Sequence, residues 1–352
     1  MRHCLESDIQ EIATRLGDEA KRFDGQHILL CGGAGFLGRY FTTLFAYLND
    51  QVLTHSCRVT VCDNLITSGA LGPESLNGFP FLSHDIITPL TLDDSIDYVI
   101  QAAGIASPYY YRKYPLETLE VATLGTKQML TFGMKHPLKG FLFFSSSEIY
   151  GDPDPRHVPT PESYRGNVTC LGPRACYDES KRLGETLCLV FHEIYGVPTR
   201  IVRPFNVYGP GMQETDYRVL PNFASRILTG APLHVYGSGT QTRTFCYVTD
   251  AIVGFIKVLL NGTNAQAYNV GNPVPELSML ELAKRLERIV GRSLELVIVE
   301  YPDTYPADEP QRRCPDISKA VVQLHYKPMI ELDEGLKRFM GWASKAYATR
   351  RS

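Results

Sequence analysis

The segment Gly32-Gly33-Ala34-Gly35-Phe36-Leu37-Gly38 constrains this chain more than any other. It follows a short apolar run at 27–31, which predicts a strand, and opens a run at 37–47, which predicts a helix. Gly32, Gly35 and Gly38 stand at GxxGxxG spacing. Glycine permits the tight strand-to-helix turn and lets the backbone approach a pyrophosphate, which then sits on the N–H groups of the helix N-terminus. Glycines also mark ordinary turns; the flanking strand and helix select the dinucleotide reading. Asp63 closes a second predicted strand at 58–62, where a carboxylate accepts hydrogen bonds from ribose hydroxyls. It lies further downstream than usual, and a loop around 49–56 is expected to take up the extra length. An acidic Asp63 repels a 2′-phosphate and no arginine adjoins it in sequence, so NAD is expected rather than NADP.

The remaining pattern gives this segment a frame. Further strands are predicted at 79–82, 97–102, 140–144 and 199–202, with helices at 121–136 and 177–195. This alternation specifies an α/β chain with a Rossmann-type, doubly wound parallel sheet covered on both faces. Beyond Pro204 glycine and proline become dense. Helices are expected there at 221–228, 250–260 and 277–290, and a strand at 268–270 returns to the main sheet. The organisation expected is a helical leader over 1–24, with Ile9, Ile12 and Leu16 on one side. An NAD-binding domain follows over 25–205, with 244–272 returning to it. A smaller, interleaved C-terminal substrate lobe takes 206–243 and 273–352. No linker separates the lobes, so they should share a cleft.

Composition excludes several classes. The 352 residues are 44% apolar and 21% charged, close to a globular average and unlike disordered or collagen-like chains. A formal charge of −3 gives no electrostatic reason to expect nucleic acid or an anionic membrane as partner. No stretch approaches the roughly 18 apolar residues of a membrane helix. Asp8, Glu11, Asp18 and Glu19 make the first residues unlike a signal peptide. Nine scattered cysteines without a CxxC pair read as the reduced thiols of a cytoplasmic protein. No His, Cys and carboxylate cluster has metal-ligand spacing, so no metal is expected.

Tyr177 and Lys181 are four residues apart in a predicted helix, which puts both on one face. An ammonium beside a phenol lowers the phenol pKa, and a phenolate can take an alcohol's proton while a hydride leaves the same carbon. Nicotinamide is the acceptor such chemistry needs. The spacing alone is common on helices; its place after a dinucleotide fold gives it meaning. Ser145-Ser146-Ser147-Glu148 ends a strand at the edge where ligands bind, so one serine hydroxyl is expected on the reacting oxygen.

Together Gly32–Gly38, Asp63, Ser146, Tyr177 and Lys181 resemble the extended short-chain dehydrogenase/reductases that modify nucleotide sugars. Segments 146–153, 172–182 and 236–243 resemble the UDP-glucuronate decarboxylase branch, as do Ser107-Pro108 and Arg313. Ser146 (usually Thr), Ser180 (usually Gly), Cys314 (usually Lys) and the run 305–309 depart from that branch. The resemblance implies C4 oxidation by Tyr177 and NAD, loss of carbon dioxide from the resulting β-keto acid, protonation at C5 and return of the hydride. Lys181 would hold the nicotinamide ribose, Ser146 the C4 oxygen, and Glu148 with Arg313 would manage the carboxylate and C5. Phe36, Leu37, Asn64, Asp85, Ile86 and Ala103 would complete the cofactor site. Ser107, Asn206, Arg218, Asn222, Tyr236, Arg243 and Arg313 would hold a nucleotide-diphosphate sugar, a UDP-sugar by this branch. Helices 121–136 and 177–195 resemble those that pair across a homodimer. Epimerisation at C4, 4,6-dehydration, and a non-catalytic NAD-binding sensor remain open, because all nearby members begin with the same C4 oxidation; Glu148 argues against simple epimerisation.

Overall fold

All five residues of strand β1, His27–Cys31, are buried, as a strand covered on both faces requires. The computed structural model describes residues 3–68, 72, 76–300 and 309–348. The main sheet adds β2 (Arg58–Asp63), β3 (Phe81–Ser83), β4 (Tyr98–Gln101), β5 (Gly140–Phe144), β6 (Thr199–Pro204) and the Gln266–Val270 strand. Its order is Gln266–Val270, β6, β5, β4, β1, β2, β3, and every pairing is parallel. The order reverses at β1, which lies between β2 and β4. Ligands bind beyond the carboxyl ends of the strands at such a point. Cys31 is in register with both Cys62 and Gln101, so the glycine segment, Asp63 and Ala103 emerge from one edge.

Several elements differ from expectation for local reasons. The first crossover helix, α2, runs Phe36–Gln51 rather than 37–47. Asn49 lies inside it and holds Cys57 through two backbone hydrogen bonds of 2.8 and 2.9 Å. The extra distance to Asp63 is therefore partly helix, not a loop around 49–56. The strand expected at 79–82 begins only at Phe81, because Pro80 has no N–H to give; its carbonyl accepts from Val61 at 2.9 Å. The helix expected at 121–136 starts at Pro115, widens into a π-helical stretch over Val121–Gly125, and closes at Gly133. The helix expected at 277–290 starts at Met279, after a capping box between Ser278 and Glu281; Leu277 and Ser278 are strand.

The leader is part of the main core. Helix α1 (Glu6–Leu16) and the turn Gly17–Phe23 bury Ile9, Ile12, Leu16 and Phe23 in the cluster that holds β1 and α2. Asp8 is fully buried; it accepts from the Tyr247 hydroxyl at 2.8 Å and pairs with Arg338 of the C-terminal helix at 3.2 Å. Beyond β6 the chain adds short pairings outside the main sheet: Val207–Tyr208 with Cys246–Tyr247, Leu233–Tyr236 with Leu296–Val299, and Thr242–Arg243 between Leu277–Ser278 and Arg312–Arg313. Residues 1–2 of the expected leader and 301–308 and 349–352 of the expected lobe lie outside the described residues. No disulfide joins the nine cysteines. Among the described residues no helix is long and apolar enough to cross a membrane, and no group of three or more His, Cys, Asp or Glu could hold a metal ion.

Candidate active site

Two adjoining cavities open along this strand edge, sharing Phe36, Leu37, Ala102, Gly104, Ala106 and Arg218 as walls. The first is lined by Gly32, Gly35, Phe36, Leu37, Gly38, Asp63, Asn64, Asp85, Ile86 and Ala103. The glycines have different reasons to be glycine. Gly32 has φ +78°, and a Cβ there would lie 2.6 Å from the backbone nitrogen of Ala103. A Cβ on Gly38 would lie 2.3 Å from the Gly32 carbonyl oxygen. A Cβ on Gly35 would meet only that oxygen, at 3.4 Å, and otherwise enter the open cavity. Gly35 caps α2, whose first turn carries no acidic side chain, so the positive end of the helix faces the cavity uncompensated. A backbone cradle with these properties fits a dinucleotide pyrophosphate.

The Ala34 peptides bracketing this turn are pinned from both sides. Asp63 accepts from Ala34 N at 3.0 Å and from Leu65 N at 2.7 Å, and burial pushes its pKa up against these bonds. Arg39 donates from Nε to the Ala34 carbonyl at 2.9 Å. Sequence placed no arginine beside Asp63; the fold brings Arg39 near, but buries its guanidinium against backbone. Asn64 and Asp85 meet at 3.0 Å on the far wall.

The second cavity holds Tyr177, Lys181, Ser146, Glu148, Asn206, Arg218, Asn222, Tyr236, Arg243 and Arg313; Ser107 faces the first. Tyr177 and Lys181 lie on helix Ala175–Tyr195, with Lys181 Nζ 5.8 Å from the Tyr177 ring centroid and donating to the Phe144 carbonyl at 2.7 Å. Burial pushes the Tyr177 phenol up to about 12, although a hydrogen bond with Ser146 opposes it. The depression expected from Lys181 is therefore not realised in this state, because desolvation dominates. Burial also lowers Lys181 to about 8, with Glu185 opposing. Of the three serines, Ser145 turns to Glu185 at 2.5 Å, while the Ser146 oxygen accepts from Glu148 N at 3.2 Å and faces Tyr177.

Glu148 lies at the centre of a buried ionic network. One of its oxygens accepts from Arg313 at 2.6 Å and also from Arg174. Arg174 pairs with Glu309 at 2.8 Å, and Glu309 with Arg243. Although burial acts to raise it, Arg243 and Arg174 hold Glu309 down to about 2. Asp178 stands 3.6 Å from Arg174, and burial with Glu148 nearby pushes it up to about 7. Arg243 is thus engaged by a carboxylate, and the Arg218 side chain is held by Asp216 through contacts of 3.0, 3.0 and 2.5 Å. Asn206 donates to the Thr244 carbonyl at 2.8 Å, and Asn222 accepts from Arg226 at 3.3 Å.

Tyr111, Arg174, Asp178, Glu309 and Arg39 are site residues that sequence reasoning missed. Tyr111 stacks on Tyr177 at 5.4 Å and 16°. Arg174, three residues before Tyr177, was legible from helical spacing; Glu309, whose neighbours 305–308 lie outside the described residues, had no such signal. The buried polar atoms Ser107 Oγ, Tyr111 OH and Arg313 Nε have no hydrogen-bond partner among the described residues. Buried polar groups are normally paired, so these mark where a bound ligand would complete the site.

Residues 28–271 match the model of the NAD dependent epimerase/dehydratase family. The chain is 38% identical over 325 residues to UDP-glucuronic acid decarboxylase 1 of Xenopus tropicalis, covering 92% of this chain and 73% of that one. It is 39% identical over 313 residues to UDP-glucuronic acid decarboxylase 3 of Arabidopsis thaliana, covering 88% and 86%. Among solved structures, it resembles UDP-glucuronic acid 4-epimerase from Bacillus cereus in complex with UDP-glucuronic acid and NAD, at TM-score 0.75 and 27% identity over 92% of this chain and 100% of that one. UDP-glucose 4-epimerase from Thermotoga maritima matches at TM-score 0.79 and 25% identity over the same shares.

Proposed function

The chain belongs to the NAD-dependent epimerase/dehydratase family, and from that premise we propose that it decarboxylates UDP-glucuronate by oxidation at C4, loss of carbon dioxide and re-reduction. The observation that carries this reading is Glu148, paired with Arg313 at 2.6 Å and with Arg174, in the same cleft as Tyr177 and Ser146. When bound, NAD supplies the acceptor for the C4 hydride, a positively charged ring, and the hydride's return.

Tyr177 moves the C4 hydroxyl proton. Its burial keeps the phenol neutral until a positive charge is brought beside it. Ser146 donates to the same oxygen as it becomes a carbonyl. A carbonyl at C4 makes the C6 carboxylate a β-keto acid, which loses carbon dioxide and leaves an enolate. Arg174 and Arg313, though shared with Glu148, are the groups in the cleft able to donate to a uronate carboxylate. Glu148, held between them, directs the chemistry at C5. Both guanidiniums already pair with Glu148, and Arg313 Nε, buried and without a partner among the described residues, is the donor left for an acceptor on the sugar, which supports a uronate.

We read the protein as a cytoplasmic homodimer. Exposed Leu119, Leu124, Leu183 and Ile194 on the neighbouring helices 115–133 and 175–195 support a pairing face. Incubation with NAD and UDP-glucuronate tests the activity. Release of carbon dioxide with a UDP-pentose supports it. UDP-galacturonate as product would make the enzyme a 4-epimerase, and no turnover of UDP-, dTDP-, GDP- or CDP-sugars would make it a sensor.

A further inference from the structure

The two halves are fastened together where the cofactor cavity meets the substrate cleft. The segment 209–218 leads from strand Val207–Tyr208 to helix Val219–Thr229. Along it, Gln213, Asp216 and Arg218 line the dinucleotide cavity, and Tyr217 and Arg218 line the cleft. Two contacts anchor the segment to the cofactor half. Gln213 Nε2 donates to the Thr67 carbonyl, beyond β2, at 3.2 Å. The Tyr217 ring stacks on Tyr109, in the short helix Pro108–Lys113 after β4, at 4.5 Å and 25°. Tyr109 packs in turn on Tyr110, which lines the cofactor cavity.

Tyr109 and Tyr217 are 43% and 53% exposed, so neither fills the core. Their stack instead joins the 209–218 segment to the helix that follows β4. The Asp216–Arg218 ion pair ties together the residues on either side of the Tyr217 anchor.

We propose that residues 213–218 form a strap that retains the dinucleotide, fastened by the Tyr109–Tyr217 stack and the Gln213–Thr67 bond. A reaction that returns a hydride to the molecule it came from fails whenever the cofactor leaves mid-cycle, so slow cofactor release is a functional requirement. The inference rests on the first cavity being the NAD site and not on the choice of sugar.

The test is the rate at which purified holoenzyme releases NAD on dilution, followed without any sugar present. Tyr109→Ala and Tyr217→Ala should each release NAD about two- to tenfold faster, the range expected for one aromatic contact. The double variant should be no faster than the faster single, because both remove the same contact. Tyr217→Phe, which keeps the ring, should retain NAD like the wild type. Hydrogen exchange at 213–218 in the cofactor-free protein should quicken in the alanine variants, a readout independent of bound NAD. Release rates within twofold of wild type, or effects of the two tyrosines that multiply, would overturn the strap. Because the measurement needs no substrate, a failed decarboxylation assay and a failed strap give different results.

Discussion

Alanine at two glycines of one turn should fail in opposite ways. At Gly38 the added Cβ would sit 2.3 Å from the Gly32 carbonyl oxygen and 2.5 Å from Gly33 Cα. An ordinary carbon–oxygen contact is about 3.3–3.6 Å, so the turn must open by about 1 Å. Both neighbours are backbone and cannot rotate away. Overpacking of this kind costs about 1–3 kcal/mol, or a melting temperature lower by about 1–4 °C for a chain of this length. At Gly35 the added Cβ meets only the Gly32 oxygen at 3.4 Å, and the backbone, at φ −77°, is open to alanine. The lost preference for glycine at the cap and the gain from a stiffer unfolded chain nearly cancel, leaving stability within about 1 kcal/mol. That methyl instead stands in the cavity where the pyrophosphate is cradled. NAD affinity should fall at least about tenfold, equivalent to about 1.4 kcal/mol. Melting curves without cofactor and calorimetric titration with NAD separate the two outcomes. Gly35→Ala binding NAD like wild type would refute the cradle; Gly38→Ala melting like wild type would refute the close approach.

Tyr177→Phe keeps the stack on Tyr111 and should bind NAD while turnover drops by about two to four orders of magnitude; near wild-type turnover would exclude the assigned proton carrier. Glu148→Gln takes the shared carboxylate from Arg174 and Arg313, and should let the keto-sugar and reduced cofactor accumulate, seen by absorbance and product analysis; equal slowing of every step would deny Glu148 a specific role at C5. Burial pushes Asp8 up to about 6, against the Tyr247 hydrogen bond and Arg338, from an ordinary value of 3.8. The folded state thus holds its proton more tightly, and the associated stability is present below about pH 4 and lost as pH rises through 6. Relative to Asp8→Asn, wild type should lose on the order of 3 kcal/mol between pH 4 and 7 in urea unfolding; a pH-independent difference would show that Asp8 does not titrate there.

What sequence makes legible here follows the range of the forces involved. The glycine turn, Asp63 and the Tyr177–Lys181 pair are set by neighbours within one strand, turn or helix, and the sheet follows from the alternation of apolar runs. Element ends depend on single groups, such as the missing N–H of Pro80 or the Ser278–Glu281 box, and shift by a few residues. The ionic network obeys neither kind of rule. Glu148 and Arg313 are 165 residues apart, and Arg174 and Glu309 are 135. Nothing local tells Arg243 that a carboxylate will occupy it, or Arg39 that it will be buried against the Ala34 carbonyl. The Tyr177 pKa inverts for the same reason: spacing supplies the ammonium, but packing by Tyr111 and the strand end supplies the larger desolvation. A site that buries three arginines with three acids is costly to build unless function uses it, since apolar residues of similar volume would serve stability as well. That cost, concentrated around Glu148, is the strongest physical sign that this end of the cleft takes part in function rather than in stability.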